Sequence, residues 1–337
     1  MTERPIALDA MGGDHMPAAA VDGALRAAAQ GAAVVLVGDS DRLGAALAER
    51  GGDLPIVAAS DVIGMDEQAT DVRRRKDASV VVAMRLVKEG EAAACVSMGH
   101  SGATMAAALL LLGRLANVER PAILANVPNA RGGYTALIDA GANADCRPSF
   151  LSQFALMGDA YARAMYGLSQ PSVGLMSIGE EPEKGNELTR EAHALLAALP
   201  GIAFHGNVEG RDLLRGTTDV VVTDGFTGNV MLKLAEGEAR VIFELVRTAL
   251  RSDLRSKLGG LLAKPALRRV AARLDPAEVG AEPLLGVAGN AFIGHGSSDA
   301  RAVASAIHSA RRLSAAGLTE RIAAAVRGSV EVGAGTS

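Results

Sequence analysis

Four short stretches of this chain place glycines and polar side chains directly after an apolar run and directly before a helix-period segment. Residues 9–17 supply Asp9, Gly12, Gly13 and Asp14, and residues 97–102 supply Gly99, His100, Ser101 and Gly102. Residues 224–229 supply Asp224, Gly228 and Asn229, and residues 294–299 supply His295 and Ser297. A turn of this kind points backbone N–H groups outward at a helix N-terminus, where the helix dipole favours an anion. In an open α/β sheet such turns gather at the carboxyl ends of the strands, where ligands bind. Four of them converging on one edge predict an oxyanion site, most simply for phosphate. Any single one says little, because glycine after a strand is ordinarily turn geometry.

Lysine is scarce, six against 28 arginines, and one of the six, Lys184, sits beside Gly185 and Asn186 in a polar loop after an apolar run. There it either reaches an anion as a point charge or balances Glu180, Glu181 and Glu183. Arg73-Arg74-Arg75-Lys76 is similarly open, an anion or carrier contact or an exposed charge run. Cys95 and Cys146 have no activating neighbour in sequence and read as reduced, structural thiols. His193 and His308 fall within helix patterns. The chain has no G-x-x-x-x-G-K-[ST], no G-x-G-x-x-G after its first strand, no G-x-S-x-G, no H-E-x-x-H and no C-x-x-C. The expectation is chemistry without nucleotide cofactor or metal.

The elements that must hold these residues follow from patterning. With 337 residues, 49% hydrophobic and 21% charged, the chain can bury a large core. A net charge of −4 gives no reason to expect nucleic acid as a partner. Short Val/Ile/Leu runs at 6–9, 34–37, 56–58, 94–97, 122–126, 135–139, 172–178 and 220–223 read as buried strands. Helix-period segments at 18–30, 79–89, 103–112, 148–166, 188–198, 229–250 and 300–313 alternate with them. The pattern predicts a layered α/β/α architecture on a mostly parallel sheet. Residues 1–329 are expected to form one domain of two interleaved α/β subdomains, and 330–337 a frayed tail. Along 229–250, Met231, Leu234, Val241, Ile242, Leu245 and Val246 form an apolar stripe, expected to pack on the body or on a second subunit. No leader segment is evident, and the longest apolar run, 103–112, is far short of the ~20 residues a membrane span needs. The location expected is cytoplasmic, with peripheral membrane contact at most.

Residues 251–273 stand apart, with seven Lys or Arg against Asp253, a local +6 that leaves −10 for the rest. Arg251, Arg255, Arg268 and Arg269 supply much of the charge, and Leu258, Leu261 and Leu262 a greasy tip. Gly259-Gly260 and Pro265 are expected to split the stretch into two helical pieces. A helical hairpin over 229–274 of this composition suits a membrane surface, a dimer partner or an acidic protein, or is a hairpin with a solvated charged face.

Taken together, the motifs resemble the PlsX-type phosphate acyltransferases of bacterial phospholipid synthesis. The matching stretches are 6–17, 75–77, 113–115, 118–122, 139–146, 178–181, 184–189, 206–214, 223–229 and 295–298, in the family's order. The chain departs from the family at His100-Ser101, where an Asn-Thr pair is usual, and at Ile293, where lysine is common. The resemblance implies a homodimer with a fold like that of phosphotransacetylases and isopropylmalate dehydrogenases. It implies transfer of a long-chain acyl group from acyl carrier protein to inorganic phosphate, the acyl phosphate passing to a membrane glycerol-3-phosphate acyltransferase. With that reaction in view, Lys184, Asn229, His100 and Asp224 are the candidate catalytic residues. Asp9, Gly12, Gly13, Asp14, Lys76, Gly99, Ser101, Gly102, Asn186, Gly228, His295 and Ser297 are candidates for holding phosphate and substrate. Arg251, Arg255, Leu258, Leu261, Leu262, Arg268 and Arg269 are candidates for the carrier or membrane surface.

Overall fold

Runs such as Ile6–Asp9 and Val34–Gly38 are buried along their whole length, as strands covered on both faces must be. The computed structural model describes residues 3–334. Its strands are β1 Ile6–Asp9, β2 Val34–Gly38, β3 Ile56–Ala58, β4 Ala94–Ser97, β5 Ala122–Pro128 and β6 Tyr134–Ile138, then β7 Ser172–Met176, β8 Ala203–Val208, β9 Val220–Val222, β10 Ala281–Leu285 and β11 Ala291–Gly294. The helices are α1 Ala18–Ala29, α2 Ser40–Glu49, α3 Ser79–Lys88, α4 Ser101–Leu111, α5 Pro148–Tyr166 and α6 Glu187–Ala197, then α7 Gly210–Arg215, α8 Gly225–Ala249, α9 Leu254–Arg273, α10 Ala300–Ala315 and α11 Leu318–Ala334.

All the strands join one sheet in the order β3-β2-β1-β4-β11-β10-β5-β6-β9-β7-β8. Seven of its pairings are parallel; the antiparallel ones are β11 with β10, β10 with β5, and β5 with β6. Those three reversals are an odd number, so β6, β9, β7 and β8 run opposite to β1, β2, β3, β4 and β11. Carboxyl ends of the two halves therefore lie at opposite ends of the sheet. The predicted layered, mostly parallel architecture stands, but the four glycine turns do not share one rim. The turns after β1, β4 and β11 lie at one end, and the turn after β9, with the Lys184 loop after β7, at the other.

One sheet face packs in a core with side chains of α1, α2, α5, α6, α10 and α11. Phe154 and Tyr161 of α5 are its largest fully buried side chains, and Phe154→Ala would cost about 3–5 kcal/mol. On the opposite face, α3 and α4 cover the first half, while Leu213 of α7 and Met231 and Leu232 of α8 cover the second. Ala140 and Ala142, which follow β6, belong to the same apolar cluster as Ala103, Ala107 and Ala108 of α4. The apolar layer over this face thus runs on from α4 to the turn that follows β6.

The hairpin over 229–274 forms, with differences. α8 starts one turn early, at Gly225, because Asp224 caps it by accepting from the Thr227 N–H at 2.8 Å. α9 is a single helix, not two pieces. Gly260 lies where a Cβ would meet the Leu250 side chain at 3.3 Å, so it lets the two helices close up. Pro265 removes one N–H from a helix none of whose side chains is buried. No α9 side chain is buried, and Leu258, Leu261 and Leu262 are exposed. On α8, Met231 reaches the body, whereas Leu234 (66% exposed), Val241, Ile242 and Leu245 stay open to solvent in the single chain. The tail expected from 330 onward is helical as far as Ala334; residues 335–337 lie outside the described residues.

Candidate active site

At the end of β1 the chain turns sharply, and Asp9, only 2% exposed, holds that turn. Its Oδ1 accepts from the Met11 and Gly12 N–H groups, and its Oδ2 accepts from Ser97 Oγ of β4 at 2.7 Å. Ser97 Oγ in turn accepts from the Gly99 N–H at 3.2 Å, so one carboxylate organises two loops. The loops touch closely: a Cβ on Gly12 would lie 2.9 Å from Gly99 Cα. A third loop joins where the Asp14 N–H donates to Gly296 O at 2.8 Å. Met65, from the segment after β3, lies against Gly296 and roofs this end.

His100 is the N-cap of α4, its Nδ1 accepting from the Ala103 N–H at 3.1 Å. A ring accepting at Nδ1 presents its Nε2–H as a donor. Ser101 is exposed and Gly102 packs against Ala69. Lys76 is exposed nearby in sequence, but Arg75 is committed to Asp61 and Glu67. His295 Nε2 lies 3.7 Å from Glu236 Oε1 of α8, and Ser297 lines a cavity of about 300 Å³ with them. These turns are the first cluster.

The second cluster forms around Asp139, at the end of β6 and fully buried. Its Oδ1 accepts from the N–H groups of Ile123, Gly141 and Ala142, and its Oδ2 from the Asn143 N–H at 2.7 Å and Nδ2 at 2.8 Å. Burial pushes this carboxyl above the usual range, and the N–H donors pull the other way. Asn143 O accepts from the Gly225 N–H at 2.8 Å, which ties this turn to the start of α8. Gly228 must be glycine, since a Cβ there would fall 1.9 Å from Asp139 O. Asn229 Cβ then lies 3.6 Å from where a Cβ on Gly141 would be. Asp224 is occupied in capping, accepting from both the N–H and Oγ1 of Thr227. Lys184 is exposed in the loop after β7, with Ser177 Oγ donating to its carbonyl; no ion pair ties it to a glutamate among the described residues. Asn186 caps α6, accepting from the Thr189 N–H at 2.9 Å.

The geometry thus brings Asp9, Gly12, Gly13, Asp14, Gly99, His100 and His295 together, and separately gathers Asp224, Gly228 and Asn229 around Asp139. Sequence reasoning assigned no role to Ser97, Asp139, Asn143, Glu236 or Glu282. The signal for Glu282 was a lone carboxylate inside the apolar strand Ala281–Leu285. It lines a cavity of about 110 Å³ beneath α8, where burial first, then the charge of Glu236, pushes its pKa from 4.5 up to about 8, against the pull of Lys233. Burial also pushes the Cys95 thiol up, and the Cys146 thiol up to about 12, so neither is a ready thiolate at neutral pH. No helix among the described residues is long and apolar enough to cross a membrane.

Two donor-rich turns at helix N-termini, on a sheet of this topology, define an α/β fold of the phosphotransacetylase type. Solved neighbours include a phosphotransacetylase from Streptococcus pyogenes (TM-score 0.61, 16% identity, 92% of this chain and 93% of that one). Another is the EutD phosphotransacetylase from Staphylococcus aureus (TM-score 0.58, 14% identity, 93% of this chain and 94% of that one). Residues 5–321 match the family described as fatty acid synthesis protein. Curated relatives named phosphate acyltransferase include those of Thermus thermophilus (61% identical, 94% of this chain and 97% of the relative) and Geobacter sulfurreducens (48% identical, 94% and 93%). The chain belongs to this family of PlsX-type acyltransferases.

Proposed function

We propose that the chain transfers a long-chain fatty acyl group from acyl carrier protein to inorganic phosphate, forming an acyl phosphate for a membrane glycerol-3-phosphate acyltransferase. The observation that carries this reading is the pair of turns led into α4 and α8, each organised by a buried aspartate and both serving the sheet face that α4 and α8 cover. The name carried by the curated relatives supports the acceptor. A thioester is already activated and phosphate is partly dianionic near neutral pH, so positioning supplies most of what the reaction needs. A phosphate oxygen attacks the carbonyl carbon, the C–O bond forms, and the C–S bond breaks with the electron pair leaving on sulfur. The carrier thiolate then takes a proton from solvent.

Lys184 neutralises phosphate or the tetrahedral oxyanion and Asn229 donates a hydrogen bond to it, while His100 Nε2–H and the N–H groups of the turn 99–102, at the other end of the sheet, hold the rest of the substrate. Asp9, Asp14 and Asp224 orient those groups, with Lys76, Gly13, Ser101, Asn186 and Ser297 lining the approach. The apolar stripe of α8, open in the single chain, supports a homodimer through the hairpin. The basic residues Arg251, Arg255, Arg268 and Arg269 support docking of the acidic carrier, and Leu258, Leu261 and Leu262 a peripheral contact of a cytoplasmic protein with the bilayer. Neutralising Arg268 and Arg269 should weaken carrier affinity at low salt; unchanged affinity with release from anionic liposomes would leave the membrane contact alone.

The test of the reaction is incubation of the protein with palmitoyl-carrier protein and phosphate, trapping acyl phosphate with hydroxylamine. Phosphate-dependent hydroxamate is the expected result. Release of thiol only from a CoA thioester, or none at all, overturns the proposal.

A further inference from the structure

Beside the second cluster, at the Asp139 end of the sheet, lies an open cavity of about 660 Å³ that neither cluster uses. Arg114, Arg120 and Arg147 line it, with Leu109, Pro121 and Phe150 as apolar wall. Glu119, Asp145 and Cys146 complete the lining. Among the described residues none of the three arginines forms an ion pair, although other arginines of the chain do. Two of them are nevertheless held in place. Arg114 Nη1 donates to the carbonyls of Val118 and Glu119, and the Arg120 guanidinium lies over the Phe150 ring, 5.9 Å from its centroid. Arg147 is the N-cap of the 19-residue α5, a helix start with no side-chain cap, so the positive end of a long helix opens into the same cavity. Two held guanidinium groups, the exposed Arg147 beside them and an uncapped helix N-terminus, with none of the three arginines in an ion pair among the described residues, form a receptor for a phosphate-class oxyanion.

The cavity also adjoins the turn where the reaction is placed. Pro121 O accepts from Asn143 Nδ2 at 2.8 Å, and Cys146 Sγ lies 3.6 Å from Asn143 O, the oxygen that receives the Gly225 N–H. A bare phosphate ion needs a small fraction of this volume and no apolar wall. A long, flexible arm with a phosphodiester at one end and a thioester at the other uses both. We propose that Arg114, Arg120 and Arg147 bind the phosphodiester of the phosphopantetheine arm that carries the acyl thioester, fixing the donor so that its carbonyl reaches the Asn229 turn. This assignment rests on the acyl-carrier reading above and names how its donor is recognised.

The full-length protein tests it in two arms. In the binding arm, phosphopantetheine is titrated into wild type and into Arg120→Gln/Arg147→Gln, with pantetheine lacking the phosphate as control. Wild type should prefer the phosphorylated arm, and the double variant should lose about tenfold in affinity for it and nothing for pantetheine. In the kinetic arm, KM for the carrier thioester should rise about tenfold while KM for inorganic phosphate holds. Equal binding of both compounds to wild type overturns the proposal, as does a double variant with unaltered affinity and an unaltered melting temperature. A rise confined to the KM for inorganic phosphate would assign the cavity to the acceptor and overturn it as well. Should the double variant melt early, Arg120→Lys, which keeps the charge and loses the planar fork, must show the same selective loss. Arginine-dependent phosphopantetheine binding in a protein that gives no hydroxamate would instead refute the reaction and leave the pocket standing.

Discussion

The first and second clusters use the same device differently. Asp9 and Asp139 each sit buried at the carboxyl end of a strand and gather the N–H groups of the turn that follows. Asp9 divides its two oxygens between its own turn and a neutral hydroxyl, Ser97 Oγ, which passes the order to a second loop. Asp139 takes its five N–H donations from one turn and from Ile123, and its own carbonyl presses on Gly228 with no room for a Cβ. The lesson is that the second cluster is fixed by steric closure and charge, the first by a relay through a hydroxyl. The second should therefore be the less forgiving.

That difference can be broken by mutation. Gly228→Ala forces backbone apart at the tightest contact and is expected to remove about 3 kcal/mol or more of stability, read as an early melting transition with loss of turnover. Asp139→Ala strands five buried donors and should cost about 3–5 kcal/mol, whereas Asp9→Ala strands fewer and should cost about 2. Equal losses for the two aspartates, by denaturant titration, would erase the comparison. Lys184→Met and Asn229→Ala, at exposed or turn positions, are expected to lower turnover about a hundredfold each with little change in melting temperature. Normal turnover of Lys184→Met at saturating phosphate would remove that lysine from the mechanism.

The subtlest expectation concerns Glu282, below the Glu236–His295 contact that links α8 to the first cluster. Its pKa is raised in the fold, so folding favours the protonated form. The associated stability is fully present below about 4.5 and is lost as pH rises to about 8. Wild type should therefore lose melting temperature across that window relative to Glu282→Gln, whose amide does not titrate. Parallel melting curves at every pH would show that Glu282 is charged and solvated.

Much of this was legible in the residues. The Val/Ile/Leu runs of β1, β2 and β4 and the glycine turns after β1, β4 and β9 announce themselves, because burial on both faces and a tight turn each demand particular residue types. Strand β10, Ala281–Leu285, hides because Glu282 and Pro283 interrupt it, and β8, Ala203–Val208, because His205, Gly206 and Asn207 make it read as a loop. Missing β10 mattered most. Strand composition carries no direction, so nothing in the runs themselves reveals that three antiparallel pairings turn half the sheet around and send the Asn229 turn to the far end. Helix α9 hid for the opposite reason: Gly259, Gly260 and Pro265 are breakers by type, yet Gly260 serves close packing against Leu250 and Pro265 faces water. Asp139 was visible as a residue but not as an organiser, since its partners are backbone N–H groups that only the fold brings near.

The central claim is that two turns at opposite ends of the sheet serve one reaction. It is tested most directly by measuring kcat/KM for phosphate-dependent release of the carrier thiol in Ser97→Ala and Asn229→Ala side by side, each with its melting temperature. Both are predicted to fall at least about tenfold while still folded, because Asn229 supplies a hydrogen bond to the reacting centre and Ser97 holds the turn that positions the rest of the substrate. Wild-type turnover in one of the two, beside a large loss in the other, would show that a single cluster does the chemistry and contradict the claim.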